Sequence, residues 1–277
     1  MKGSVLWTRV LHPVIVVVLL VTAIGIPLWL ALITSFKSQG EANIPDLTLP
    51  SSWHVWDNYR QAFTQGDMLW ALFGSLLVMI PAVLGVLIFG SLASWVLARR
   101  TGKMVSILYS AAISGIILPP AVVTIVLLLR QLGLASTPFG MMCVYMGMYM
   151  SLVVFFITGF IRTIPLELEE AARMDGAKPL GIFLKVILPL LRPVIATATI
   201  LICLYIWNDV FYSFFVLGGG SVTTLPLNLY SVASSNLYQN NWNLVFAYVI
   251  LMSLPLIVIF AFAQRRIISG ITGGAVK

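Results

Sequence analysis

The sequence predicts an all-α polytopic membrane protein, a single domain over residues 1–277 with six transmembrane helices. Three observations carry that fold class. Of the 277 residues, 60% are hydrophobic and 9% are charged, where a soluble domain has roughly 25% charged residues. Such a chain has too little polar surface to cover itself in water. Its charge-free runs are long: Val10–Phe36, Met68–Ala98, Met104–Leu129, Gln131–Ile161, Pro193–Asn208 and Val210–Gln264. A spanning helix needs about 20 predominantly apolar residues. Finally, the Lys and Arg residues fall very unevenly between alternate loops, as membrane insertion requires.

The first span is predicted at 11–36. Lys2 and Arg9 before an apolar stretch resemble a signal peptide. The stretch runs from Val14 to Phe36, however, longer than the 7–15 residues of a signal core, and no cleavage site follows, so it reads as a retained span. The second and third spans, 69–97 and 104–129, are joined by the tight turn Arg99–Lys103. The fourth is placed at 139–161. A long hydrophilic loop, 162–193, leads to the fifth span at 194–217, which Asp209 interrupts. Residues 218–243 carry no charge but read as a loop. They contain Gly218-Gly219-Gly220, Pro226 and a polar scatter ending in Asn240-Asn241-Trp242-Asn243, all turn and loop signals. The sixth span is 244–263.

With the N-terminus inside, the inner loops and termini hold Lys2, Arg9, Arg99, Arg100, Lys103, Arg162, Arg173, Lys178, Lys185, Arg192, Arg265, Arg266 and Lys277, and the outer loops hold Lys37, Arg60 and Arg130. Thirteen against three places both termini in the cytoplasm. The net charge of +7 therefore reports topology, and no nucleic-acid-binding pattern accompanies it. Cys143 and Cys203 fall inside predicted spans, where cysteine behaves as a small apolar residue.

The chain shows no nucleotide-binding or hydrolytic motif. Gly102-Lys103 is followed by Met104, not Ser or Thr, so no phosphate-cradling P-loop is present. H-E-x-x-H and G-x-S-x-G are likewise missing, and His12 and His54 lie far apart.

The loop 162–193 divides into two short helical pieces. Pro165 suits a first helical turn, and Glu167, Glu169 and Glu170 suit the positive end of the helix dipole. Gly176 is a natural stop. In the second piece, opened by Pro179, Leu180, Phe183, Leu184, Ile187 and Leu188 define one apolar face, and Pro189 and Pro193 end it. The first piece is too short to be stable alone. On physical grounds it either packs on its own protein as an interfacial helix or presents Ala171 and Ala172 to another surface.

The run Glu170-Ala171-Ala172, Asp175-Gly176-Ala177 and Ile187-Leu188-Pro189 resembles the EAA loop of ABC-importer permeases. Ser94–Arg99, Ile117-Leu118-Pro119-Pro120, Leu132-Gly133-Leu134, Trp207-Asn208-Asp209, Thr224-Leu225-Pro226-Leu227 and the segment from Gln264 to Lys277 resemble the carbohydrate-uptake, maltose-permease-like branch. The resemblance covers essentially the whole chain. It implies a type I ABC importer permease fold in the bacterial inner membrane. The implied function is translocation of a sugar delivered by an extracytoplasmic binding protein. The implied partners are a second homologous permease and two ATPase subunits, which bind the ATP and Mg that this chain does not. By the same resemblance Glu167, Glu170, Ala171, Ala172, Asp175, Gly176, Ala177 and Pro189 form the ATPase-coupling interface.

Asp209 is the one carboxylate placed inside a span. Such groups are costly in lipid and face a cavity or a partner. With Tyr205, Trp207 and Asn208 it forms a candidate substrate path, since aromatic faces and amide or carboxylate groups suit a sugar. Two structural alternatives stand beside it: a hydrogen bond to a neighbouring helix, or a charge pair with the partner permease. The second is the expectation favoured by the lack of an evident partner in this chain. Relatives of the branch carry sugars or glycerol-phosphate compounds, and no basic residue in the outer spans is placed to meet a phosphate, which points to a neutral sugar.

Overall fold

The computed structural model describes residues 11–236 and 241–275, and the regular structure among them is helical. Lys2, Arg9, Asn240 and Lys277, used in the sequence reading, lie outside the described residues. The helices are α1 His12–Thr34, α2 Gln39–Ala42, α3 Val55–Gln65, α4 Met68–Arg99, α5 Lys103–Ser114, α6 Val122–Gln131, α7 Pro138–Ile161, α8 Glu167–Met174, α9 Pro179–Leu190, α10 Arg192–Trp207, α11 Phe211–Leu217, α12 Leu225–Asn236 and α13 Trp242–Ala275.

Among them α1, α4 and α7 are each long and apolar enough to cross a membrane. The pair α9 and α10, bent by 74° at Leu191, makes a fourth if taken as one span. The predicted first, second and fourth spans thus match single helices. The third does not. Residues 104–129 break into α5 and α6 across a stretch holding Gly115, Pro119 and Pro120. Two successive prolines supply no N–H for helix bonds, and the second bars the residue before it from the helical region. The fifth span is also broken, at Asn208–Val210. The expected loop 218–243 holds a helix instead, α12, with Pro226 in its first turn, where its missing N–H costs nothing. A six-span count is compatible with this arrangement once broken spans are allowed.

The chain forms two compact units. One takes the chain up to Leu69 together with Asn228–Leu256, and the other takes Trp70–Leu227 with the chain from Ile257. In the first unit the segment after α1 is tied down by buried polar groups. Asn58 of α3 donates to the backbone oxygens of Ser35 (2.9 Å) and Lys37 (2.8 Å), and accepts from Asn243 Nδ2 (2.8 Å). The Lys37 side chain is 2% exposed and its ammonium is paired with the Asp46 carboxylate. Hydrogen bonding from Lys37, and then from Thr48, holds the Asp46 carboxyl down to about 2.

In the second unit α7 is the central helix. It opens with Thr137, whose hydroxyl accepts from the Gly140 N–H (3.0 Å), followed by Pro138 in the first turn. Met141, Val144, Tyr145, Val153, Val154, Ile157 and Ile161 are buried along it, and it touches α5, α10 and α11. It meets α4 at a small residue: a Cβ on Gly90 would lie 2.5 Å from Val153 Cγ1. Apolar helices in lipid gain little from hydrophobicity, so close backbone approach at small residues supplies packing energy.

Candidate functional site

Two polar clusters stand out in the second unit, and each is organised around a carboxylate. The first lies in the loop 162–193. Helix α8 begins with three glutamates in its first turn. It ends in a complete left-handed cap: Gly176 has φ +80°, its N–H donates to Arg173 O (2.9 Å), and the Ala177 N–H donates to Ala172 O (3.0 Å). That pattern satisfies carbonyls that the helix leaves open. Glycine adopts this conformation without a Cβ penalty, and nothing lies within 4 Å of where a Cβ would stand.

Of the predicted coupling residues, Glu167, Glu170, Ala171, Asp175 and Gly176 are exposed, while Ala172, Ala177 and Pro189 are half-buried. Met174, beside them, is 88% exposed. The residue that turns inward is Glu169, at 0% exposure. Arg99 Nε donates to its Oε1 (2.7 Å), and Trp95 Nε1 donates to its Oε2 (3.1 Å). Arg99 Nη2 also donates to Ile164 O (2.9 Å), just before α8. The Trp95 ring lies 5.5 Å from that of Phe183 in α9. Two short helices are thereby fastened to the end of α4.

Sequence reasoning missed this clamp. It assigned Glu169 a dipole role with its neighbours, and Arg99 a place in the charge count. The apolar face of α9 is also shifted from expectation. Ile182, Phe183, Ile187 and Leu191 are buried, while Leu180 and Leu184 are exposed. A π-helical turn at Phe183–Ile187 adds a residue to that turn and rotates the face.

The second cluster surrounds Asp209. Its Oδ2 accepts from Tyr145 OH (2.7 Å), the Ser213 N–H (3.0 Å) and Ser213 Oγ (3.3 Å), and its Oδ1 accepts from the Tyr212 N–H (3.2 Å). Asp209 thus caps the start of α11, satisfying open N–H groups at the favourable end of the dipole. Beside the expected charge from another chain, the other alternative, a hydrogen bond to a neighbouring helix, is present in this chain. Within this chain the donors to Asp209 are a helix N-terminus and a tyrosine of α7. Tyr145 and Tyr149, four residues apart and so on one helix face, were the overlooked signal.

The other predicted path residues do not converge. Trp207 is 2% exposed, whereas Tyr205 is 54% exposed. The Tyr205 ring stacks on Tyr149 at 5.8 Å and 5°, and Asn208, exposed, donates to Leu204 O (2.8 Å). A concavity of about 420 Å³ lies between the α5–α6 connection, α6 and α7 and is lined by apolar side chains such as Leu118, Leu128 and Met148, apart from Cys143 and Ser151. Sugar hydroxyls would find few side-chain partners there. The stack of half-buried Tyr149 on exposed Tyr205, with Asn208, offers better chemistry.

Comparison with known proteins bears on the family and the fold. Residues 87–273 match the family described as binding-protein-dependent transport system inner membrane component. The melibiose/raffinose/stachyose import permease protein MelC of Bacillus subtilis (strain 168) is 35% identical over 257 residues, covering 91% of each chain. The trehalose transport system permease protein SugB of Mycobacterium tuberculosis (strain CDC 1551 / Oshkosh) is 31% identical over 248 residues, covering 88% of this chain and 90% of that one. Among solved structures, a bacterial ABC transporter involved in the import of the acidic polysaccharide alginate contains a chain with the same fold, at TM-score 0.76 and 21% identity, covering 93% of this chain and 96% of that one. With its apolar helices and its match over two thirds of its length, the chain belongs to the family of binding-protein-dependent transport system inner membrane components.

Proposed function

We propose that this chain is the permease subunit of an ATP-driven importer for a neutral sugar, working as one translocation domain beside a second homologous permease. Of the relatives named above, one is a melibiose/raffinose/stachyose import permease and the other a trehalose transport system permease. Two ATPase subunits would supply ATP and Mg binding, and an extracytoplasmic binding protein would deliver the sugar. The single observation that carries this reading is α8, a capped helix clamped at Glu169 with Glu167, Glu170 and Ala171 left exposed. An isolated eight-residue helix is not stable in water. Here it is held from one side and open on the other, which is what a docking element needs. The basic-loop asymmetry supports a cytoplasmic position for α8 and both termini. Tyr149, Tyr205 and Asn208, near Asp209, are the residues offered to the sugar.

The test is Gly176→Val in the full importer. A branched side chain in the left-handed region strains the cap, so membrane insertion should remain normal while ATPase subunits are lost on purification or uptake fails. Normal uptake with the ATPase subunits retained would remove α8 from coupling.

A further inference from the structure

Helix α4 is held by polar side chains at both ends. Toward its C-terminus, Trp95 and Arg99 grip the buried carboxylate of Glu169 in α8, and Arg99 also holds Ile164 O. Toward its N-terminus, Trp70 Nε1 donates to Ser221 O (3.2 Å), and Ser75 Oγ accepts from the Leu225 N–H (2.7 Å). A Cβ on Gly74 would lie 2.1 Å from Thr223 O, so α4 and this segment are in direct backbone contact. Between the two grips the helix is unbroken, Pro81 included. From Trp70 to Arg99 it spans about 44 Å at 1.5 Å per residue. The two grips differ from the chain's own connections, since α8 and Ser221 are each far from α4 in sequence.

We propose that Glu169 is a positioning residue that locks α8 to α4, so that displacement of α8 is delivered along α4 to the segment Ser221–Leu225. The inference rests on the reading of α8 as the ATPase-docking helix and adds the route by which its motion leaves the loop. A buried carboxylate with an arginine and an indole N–H on separate oxygens has one geometry and little freedom to slide. A helix carries axial displacement because its backbone bonds all lie along it. The far grip then converts that displacement into a shift of the 221–225 backbone, on the side where the basic-residue count places the outer solution.

The experiment uses the complete importer, with ATPase subunits, second permease and binding protein, in liposomes. Glu169→Gln keeps the size of the side chain and can still accept from Trp95, but removes the charge that holds Arg99. The expected result is an assembled complex that hydrolyses ATP, with stimulation by loaded binding protein largely lost and uptake per ATP reduced roughly tenfold, a typical coupling loss. Trp95→Phe keeps the ring against Phe183 and deletes one donor, and should lower the same ratio by a smaller factor. A role confined to stability would reduce the yield of complex but leave stimulation and uptake per ATP unchanged in what assembles. That outcome for both variants overturns the proposal; if Glu169→Gln does not assemble, Trp95→Phe decides alone. Ala171→Arg separates the underlying reading. If the ATPase subunits stay bound and coupled in that variant, α8 is not the docking helix, whatever Glu169→Gln shows.

Discussion

Glu169 and Asp209 are the two carboxylates that the second unit takes away from solvent, and they are housed in opposite ways. Glu169 is fully buried and faces a cation, Arg99, with Trp95 on its other oxygen. Asp209 is half-buried and is held by N–H and O–H dipoles from Tyr212, Ser213 and Tyr145. A charge pair fixes two elements to each other, here α8 to α4. A helix-terminus cap instead fixes where one element begins, here the restart of the broken fifth span as α11. The first arrangement is rigid and intolerant of truncation; the second spreads its energy over several weak donors.

That contrast sets the size of the effects. Glu169→Ala strands Arg99, which is 17% exposed, without its counter-charge. Removing one partner of a buried pair costs about 3–5 kcal/mol. Asp209→Asn keeps one good acceptor and loses part of the cap, for about 1 kcal/mol. Thermal unfolding of the purified complex should rank them in that order, with Asp209→Asn still co-purifying with its partners. Equal losses, or failure of the Asp209→Asn complex to assemble, would mean that Asp209 does face a charge from another chain.

Asp46 gives the smallest effect. It is paired with Lys37 in the other unit, and its carboxyl is held down to about 2 from an ordinary value of 3.8. A depressed carboxyl contributes stability that is complete above the ordinary value and is lost as pH falls through the folded one. A spin label at Asn43 should therefore report unchanged mobility from pH 7 to about pH 4, and loosening only as pH approaches about 2. Loosening already near pH 5 would contradict the pairing.

Much of this was legible from residues. The long apolar runs marked α1, α4 and α7 within two residues of their ends, because length and charge exclusion are what the bilayer itself reads. Gly176 was legible as a stop because the left-handed cap favours that residue. Broken spans were not, since Pro119-Pro120 and Asp209 sit in stretches whose mean hydropathy stays membrane-like. α12 was hidden by an uncharged polar composition that suits a loop equally well. The clamp was hidden for a different reason. An ion pair between residues seventy positions apart leaves no local period, and burial of the charged residue on α8 inverts the usual apolar pattern.

The most direct test of the central claim is site-directed cross-linking from α8. With cysteine at Ala171 as the single reactive thiol, a short bifunctional reagent should join this chain to the ATPase subunit in membranes, while cysteine at Ser221 should not and should instead be labelled from outside intact cells by an impermeant reagent. Outside labelling at Ala171, or a cross-link to the ATPase subunit from Ser221, would contradict it.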